Sequence, residues 1–184
     1  MDAGVKRYHS LTIILHWVMA LSFFLMLGSG VAMENFDLDK SLKFQLFQWH
    51  KSGGVLLLMA FFLRLAVRFA TRIPPLPELI PALERKAAKA GHYALYAVMF
   101  LLPFSGWAVV SSSSYGIPTV VFNLFEWPHI PGLQGNKDVH EFAEEGHTVL
   151  AIIFALLIFG HIAAVVKHAV VEKENLLKRM WWSK

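Results

Sequence analysis

Four apolar stretches constrain the fold of this chain more than any other feature of its sequence. Each is long enough to cross a bilayer, which takes roughly 20 mostly apolar residues. They lie at residues 11–33, 46–69, 91–110 and 146–168. Because 56% of the 184 residues are hydrophobic, the chain holds more apolar side chains than one small soluble core buries. We therefore predict an all-α protein, a single integral membrane domain over residues 1–184 built as a four-helix bundle.

Basic residues alternate between the predicted loops. Lys6 and Arg7 precede the first stretch, and further Lys and Arg residues fill the loop between the second and third stretches and follow the fourth. The loop before the fourth stretch is acidic instead, with Glu141, Glu144 and Glu145. By the positive-inside rule, both termini and the middle loop are expected on the cytoplasmic side. The net charge of +4 is then a charge of the inner surface, and no nucleic-acid partner is expected.

Composition excludes several kinds of chemistry. The chain has no cysteine, which rules out disulfides, thiolate metal sites, iron–sulfur clusters and thiol nucleophiles. A signal peptide is the alternative for the first apolar stretch, but that stretch is longer than the usual ~7–15 apolar residues of such peptides.

Three segments outside the apolar stretches carry their own signals. The proline-rich "RIPPLPELIPALERK", residues 72–86, is typical of a stiff surface linker. We expect "TVVFNLFEW", residues 119–127, to lie flat at the interface as a short helix or a cap. The tail "ENLLKRMWW", residues 174–182, combines basic and Trp side chains, which suits the inner headgroup zone.

Four histidines fall at matching depths in the predicted bundle. His147 and His161 are 14 residues apart in the fourth stretch, so a helix brings them to nearly the same face, separated by ~21 Å along its axis. His16 lies about as far from the cytoplasmic end as His161 does, and His50 lies near the outer end, like His147. The topology therefore predicts an inner pair, His16 and His161, and an outer pair, His50 and His147.

Paired imidazoles across a bundle core suit the two axial positions of a heme iron. Two pairs predict two hemes, with irons about 20 Å apart along the membrane normal. Zinc fits less well, because it takes three or four protein ligands around one point. A proton relay would need carboxylates at mid-membrane, and the sequence has none there. A heme-free transporter or structural bundle, with the histidines as packing or proton sites, remains open.

Several residues near these histidines are candidates for supporting roles. Arg64 and Arg68 share a helix face at the inner end and are expected to bind heme propionates, although snorkelling explains them equally well. Lys51 and His140 are the comparable candidates at the outer end. Small residues next to the histidines are expected to leave room for a flat macrocycle, with ordinary helix packing as the alternative. They are Gly53, Gly54, Gly146 and Gly160.

The motifs in combination resemble those of the bacterial cytochrome b561 proteins, which share a domain with the membrane cytochromes of nickel hydrogenases. The resemblance covers nearly the whole chain. It rests on "LHW" at 15–17, "WHKSGG" at 49–54 leading to "RLAVR" at 64–68, "GHYALYAVMFLLPFSGW" at 91–107, the interval between His147 and His161, and "ENLLKRM" at 174–180. It implies that His16, His50, His147 and His161 ligate the iron of two b-type hemes in a multi-pass protein of the bacterial inner membrane.

The resemblance also implies electron transfer linked to quinone. One branch of the family oxidises superoxide on the periplasmic side and passes the electron to ubiquinone, so an oxidoreductase of this kind is the leading expectation. His92 and His168, at the inner edge, are the candidates to contact the quinone headgroup or its protons. Because the outer loops are acidic and repel anions, a neutral quinol or a periplasmic electron-transfer partner fits as well. A cytochrome b subunit that serves a hydrogenase-like or dehydrogenase-like partner is a further alternative.

Overall fold

A computed structural model describes residues 7–75 and 80–182 of the chain. Over these ranges the chain forms four α-helices, one β-hairpin and a short C-terminal 3₁₀ helix. The elements, in order, are α1 (Ser10–Asn35), α2 (Lys40–Ala70), α3 (Ala82–Ser112), β1 (Thr119–Val121), β2 (Phe125–Trp127), α4 (Lys137–Val170) and the 3₁₀ helix (Leu176–Met180). Lys6 of the predicted topology and residues 76–79 of the predicted linker lie outside the described residues.

All four helices are long and apolar enough to cross a membrane, which confirms the predicted all-α membrane bundle. They contain 26 to 34 residues, whereas roughly 20 suffice to span the hydrocarbon core. The helices extend beyond the apolar windows because their polar ends also have helix-forming residues. The first turns of α3, for example, contain the sequence "ALERKAAKA".

An apolar layer fills the middle of the bundle. Phe23 of α1 and Phe154 of α4 meet there edge to face, with ring centroids 4.7 Å apart. Phe154 is seven residues from both His147 and His161, so this layer lies midway between the two histidine levels. The buried members of the layer are Met19, Phe23, Leu57, Phe61, Val98, Met99, Leu102 and Phe154. Large apolar side chains also cover the outer faces of the helices, as a lipid environment requires.

The segment at residues 119–127 is a β-hairpin, so the predicted interfacial helix is wrong. β1 and β2 pair antiparallel, and Phe122 and Asn123 at the turn have φ values of 44° and 59°. Two successive positive φ values are typical of a type I′ turn, whose twist matches that of a hairpin. The alternative prediction of a cap agrees with the contacts, since Ser52 of α2 accepts a hydrogen bond from the Phe122 N–H at 3.2 Å. β-Branched and aromatic residues on both sides of Asn123 favour strands over a helix.

The first and last described segments of the chain meet the start of the middle connection at one end of the bundle. Arg179 of the 3₁₀ helix is buried, and its Nη2 donates to the carbonyl oxygens of Pro74 and Pro75 at 2.7 and 2.8 Å. The Tyr8 N–H donates to the Arg179 carbonyl at 3.1 Å, and Trp17 Nε1 donates to the Met180 carbonyl at 2.7 Å. These three segments therefore share one side of the bundle, and their cytoplasmic orientation stays a prediction.

Candidate functional site

The structure brings the four predicted histidines together as the two predicted pairs. The ring centroids of His50 and His147 are 6.2 Å apart, and those of His16 and His161 are 6.3 Å apart. With metal–nitrogen bonds of about 2 Å, two imidazoles on opposite sides of one metal ion have ring centres ~6 Å apart. Both pairs are therefore spaced as two axial ligands of one ion would be.

The outer pair is held through the Nδ1 atoms of its rings. Nδ1 of His147 lies 3.1 Å from the Leu102 carbonyl oxygen and 3.0 Å from Ser105 Oγ, and Nδ1 of His50 lies 2.8 Å from Ser29 Oγ. A carbonyl oxygen only accepts, so in this contact Nδ1 of His147 carries the ring proton. Its Nε2 is then left with a free lone pair, as a metal ligand requires.

A large cavity opens beside the outer pair. Its volume is about 1350 Å³, and both imidazoles line it together with Gly30, Gly54 and Gly106. Pockets for small molecules and cofactors are usually about 300–1,000 Å³, so the space is large enough for a cofactor of the size of a macrocycle.

Of the four glycines singled out in the sequence, Gly54 lines the cavity, whereas Gly106, which is nearest to an imidazole, was not among them. A Cβ on Gly106 would lie 3.0 Å from Cε1 of His147, so this glycine gives the ring its room. A Cβ on Gly53 would lie 2.7 Å from the sulfur of Met26, which makes Gly53 a helix-packing residue between α1 and α2. Gly146 and Gly160 have no atom within 4 Å of a built Cβ.

The inner pair has a third histidine beside it. The ring of His92, which is exposed on the bundle surface, lies 5.7 Å from that of His161, centroid to centroid. On the other side, Nη2 of Arg64 lies 3.1 Å from Nδ1 of His16. A guanidinium only donates hydrogen bonds, so Nδ1 of His16 accepts here, the reverse of the role that Nδ1 plays in His147.

Two arginine side chains lie at the level of the inner pair. The guanidinium carbons of Arg64 and Arg68 lie 5.8 and 5.3 Å from the ring centroid of Tyr96. Nε of Arg64 is buried, and no hydrogen-bond partner for it occurs among the described residues. Because buried polar groups are normally paired, this donor is available to an acceptor such as a carboxylate.

The two outer candidates for propionate contacts differ in their surroundings. Lys51 is buried at the cavity wall, and its Nζ donates to the Pro118 carbonyl at 2.9 Å, which leaves other donors of the ammonium for a ligand. His140 is directed toward α3, where its Nδ1 lies 3.1 Å from the Val109 carbonyl oxygen and 3.3 Å from Ser112 Oγ.

His168 belongs to a cluster of charged residues that the sequence did not reveal. Its Nδ1 lies 2.6 Å from a carboxylate oxygen of Glu172, and Nζ of Lys167 lies 2.9 Å from Glu172 and 2.8 Å from Glu84. The hydrogen bonds from Lys167 and then from His168 lower the pKa of the Glu172 carboxyl. Lys167 pairs with both carboxylates, so this cluster is an ion-pair network linking the inner ends of α3 and α4.

Ser29 and Ser105 are residues that the sequence reasoning missed. Both contact an imidazole of the outer pair, and each directly precedes a glycine of the cavity lining, Gly30 or Gly106. A Ser-Gly pair inside an apolar stretch is the sequence signal that was available, since a hydroxyl in lipid needs a polar partner.

The helices are long enough to cross a membrane, and they present paired histidines at two depths. These features are typical of membrane helix bundles that bind a cofactor between facing helices. Residues 7–183 match the family model described as prokaryotic cytochrome b561. The chain therefore belongs to the prokaryotic cytochrome b561 family, as its motifs indicated.

Curated relatives are similar over almost the full length. Cytochrome b561 homolog 2 of Escherichia coli (strain K12) is 32% identical over 95% of this chain and 91% of its own length. Cytochrome b561 homolog 1 of the same organism is 25% identical, over 96% of this chain and 97% of its own length. A probable superoxide oxidase CybB of Yersinia pestis is 26% identical, over 95% and 96%.

Family membership establishes the general role of the chain. It is a multi-pass protein of the bacterial inner membrane, a membrane cytochrome b in electron transfer, and the family implies b-type heme. The heme-free alternative does not agree with this membership.

Substitution of Gly106 tests whether the room beside His147 matters for heme binding. In Gly106→Ala the new methyl group must displace an imidazole that two hydrogen bonds hold, so we expect roughly tenfold weaker heme binding, the scale of losses when the support of a ligand is disturbed. Heme content and the absorption spectrum of the purified protein measure the effect. Gly28→Ala is the matched control in α1, because nothing lies within 4 Å of its Cβ. Equal heme content in both variants would contradict the assignment.

Proposed function

We propose that the chain moves electrons across the membrane through two b-type hemes, one held by His50 and His147 and the other by His16 and His161. The observation that carries the proposal is the pair of nearly equal histidine spacings, 6.2 and 6.3 Å, at two depths of one bundle. When bound, a b-type heme supplies a reversible one-electron iron couple. Along α4 the two levels are separated by ~21 Å, enough to connect the two sides of the membrane.

The residues of the chain define how electrons enter and leave. Because two imidazoles would hold each heme, a substrate would not bind at iron, and electron transfer would need no covalent contact with the substrate. The apolar layer around Phe23 and Phe154 excludes water between the two levels. The electron therefore passes between the levels through packed protein, and proton transfer takes place at the ends of the bundle.

Arg64 and Arg68 are proposed to bind the propionates of the inner heme. The buried and unpartnered Nε of Arg64 supports this role, because a carboxylate is the natural acceptor for it. An acceptor that draws Arg64 away from His16 also allows the ring proton of His16 to occupy Nδ1, which frees Nε2 as the ligand atom. Lys51 is proposed for the same task at the outer level, with His140 as the second candidate there.

The quinone is proposed to react at the inner edge, near His92 and His168. His92 is both exposed on the bundle surface and 5.7 Å from the ring of His161, so a quinone in the lipid can approach it. His168 is hydrogen bonded to Glu172, a carboxylate that follows the end of α4. Reduction of one ubiquinone to ubiquinol takes two electrons and two protons, and these residues would deliver the protons.

Superoxide is the proposed electron donor at the outer side. Two superoxide ions give two electrons and two dioxygen molecules, which balances the reduction of one ubiquinone. The full-length similarity to a probable superoxide oxidase supports this reaction.

A donor protein or a quinol is the second candidate for the outer side, and the cavity lining supports it. Glu141, Glu144 and Glu145 of α4 line the cavity of the outer pair, and their charges oppose the approach of an anion. In this alternative the chain is a cytochrome b subunit that relays electrons between a hydrogenase-like or dehydrogenase-like partner and quinone. Glu34 is a fourth acidic residue of this lining, so Lys40, Lys43 and Lys51 offset the acidic charge only in part.

Replacement of single histidines tests the assignment of ligands. We expect His50→Ala or His147→Ala to remove the outer heme and His16→Ala or His161→Ala to remove the inner one. Each variant should fall from two hemes to one per chain, as measured from reduced b-type absorbance and protein concentration. His9→Ala is the control, because His9 is exposed and caps α1 outside the pairs. Loss of a heme in His92→Ala, with two hemes retained in His16→Ala, would show that the inner pair is wrong.

The donor is tested with the isolated chain in lipid discs that contain ubiquinone. A superoxide-generating system is expected to reduce the hemes and to form one ubiquinol for every two superoxide ions consumed. Glu144→Gln should raise the rate severalfold at low ionic strength if the donor is an anion, because it removes a repelling charge. Hemes that quinol or a partner enzyme reduces but superoxide does not would contradict the superoxide reaction and favour the subunit alternative.

A further inference from the structure

Ser29 of α1 contacts the outer pair in a way that fixes the position of a proton. Its hydroxyl donates to the Met26 carbonyl at 2.9 Å, and its Oγ lies 2.8 Å from Nδ1 of His50. A hydroxyl has one proton, and when the Met26 carbonyl receives it, a lone pair of Oγ faces the imidazole. Oγ is then an acceptor toward the imidazole, so Nδ1 of His50 carries the ring proton and Nε2 keeps its lone pair.

Ser105 of α3 repeats this arrangement on the opposite side of the bundle. Its hydroxyl donates to the Leu102 carbonyl at 2.8 Å, and its Oγ lies 3.0 Å from Nδ1 of His147. The Ser105 hydroxyl again donates to the carbonyl three residues earlier and accepts a hydrogen bond from the imidazole. The same geometry therefore occurs twice, on two helices that are distant in sequence.

We propose that Ser29 and Ser105 are positioning residues, which lock the tautomer of His50 and His147 and thereby lower the reduction potential of the outer heme. This inference rests on the proposed ligation of that heme by the two histidines. A ligand imidazole that donates its other N–H to an acceptor is more basic, and a more basic ligand stabilises ferric over ferrous iron.

The inner pair lacks this support and provides an internal comparison. Nδ1 of His16 faces the guanidinium of Arg64, which is a donor, at 3.1 Å. Neither serine contacts His16 or His161 among the described contacts. Changes at Ser29 or Ser105 should therefore act on the outer heme alone.

The two serines should differ in the size of their effect. Nδ1 of His147 has a second acceptor, the Leu102 carbonyl oxygen at 3.1 Å, which remains when Ser105 is replaced. For Nδ1 of His50, Oγ of Ser29 is the acceptor that the described residues provide. Loss of the Ser29 hydroxyl should consequently have the larger effect.

The test is a redox titration of both hemes in the purified full chain, followed by absorbance and by the ferric low-spin signals in electron paramagnetic resonance. Ser29→Ala should raise the potential of the outer heme, Ser105→Ala should raise it less, and the potential of the inner heme should stay at the wild-type value in both. Ser29→Thr and Ser105→Thr retain a hydroxyl and should restore a value near wild type.

Three outcomes would overturn the inference. The first is an outer-heme potential that does not change in Ser29→Ala, and the second is an equal shift of both hemes, which would indicate a general change of the bundle. The third is loss of the outer heme in both Ser29→Ala and Ser29→Thr. If only Ser29→Ala loses the outer heme, its retention in Ser29→Thr supports the role of the hydroxyl. A His50→Ala protein that keeps both hemes would contradict the proposed ligation itself. This measurement distinguishes a failure of the ligation from a failure of the proposed role of the serines.

Discussion

An imidazole inside a membrane needs polar partners. For three of the four histidines the partner lies on a neighbouring helix, so these contacts hold the bundle together. Lipid provides no hydrophobic force between helices, so packing and polar contacts must hold them together. The contacts of the histidines join neighbouring helices at both depths. Ser29 joins α1 to His50 of α2, Ser105 joins α3 to His147 of α4, and Arg64 joins α2 to His16 of α1. The two ring pairs then tie α4 to α2 and to α1.

The two levels use different chemistry around a common spacing. At the outer level neutral acceptors, two serine oxygens and one backbone carbonyl, face Nδ1 of the rings, and a large cavity opens beside them. At the inner level a guanidinium and a third histidine surround the pair. Since hydrogen bonding and nearby charge both adjust the potential of a heme iron, this difference allows two similar sites to have unequal potentials. Under the proposal of two hemes, unequal potentials would give electron transfer between the levels a direction.

Much of this arrangement was predictable from the sequence, because membrane helices obey simple length and depth rules. Hydropathy located the four spans, and the interval of 14 residues between His147 and His161 placed two ligands on one face. Contacts that depend on side-chain direction were not predictable. The approach of His92 to His161 and the serine contacts with Nδ1 require the rotation of each helix, which an almost uniformly apolar span does not encode. The hairpin was not predictable for another reason, since the turn at Phe122 and Asn123 lacks the Asn-Gly or Asp-Gly pair that usually marks a hairpin.

The central claim is that each histidine pair binds one iron. Anomalous diffraction at the iron absorption edge from crystals of the purified chain tests it most directly. The account predicts two peaks, one between the rings of His50 and His147 and one between those of His16 and His161. A single peak, or a peak away from these rings such as one beside His92, would contradict it.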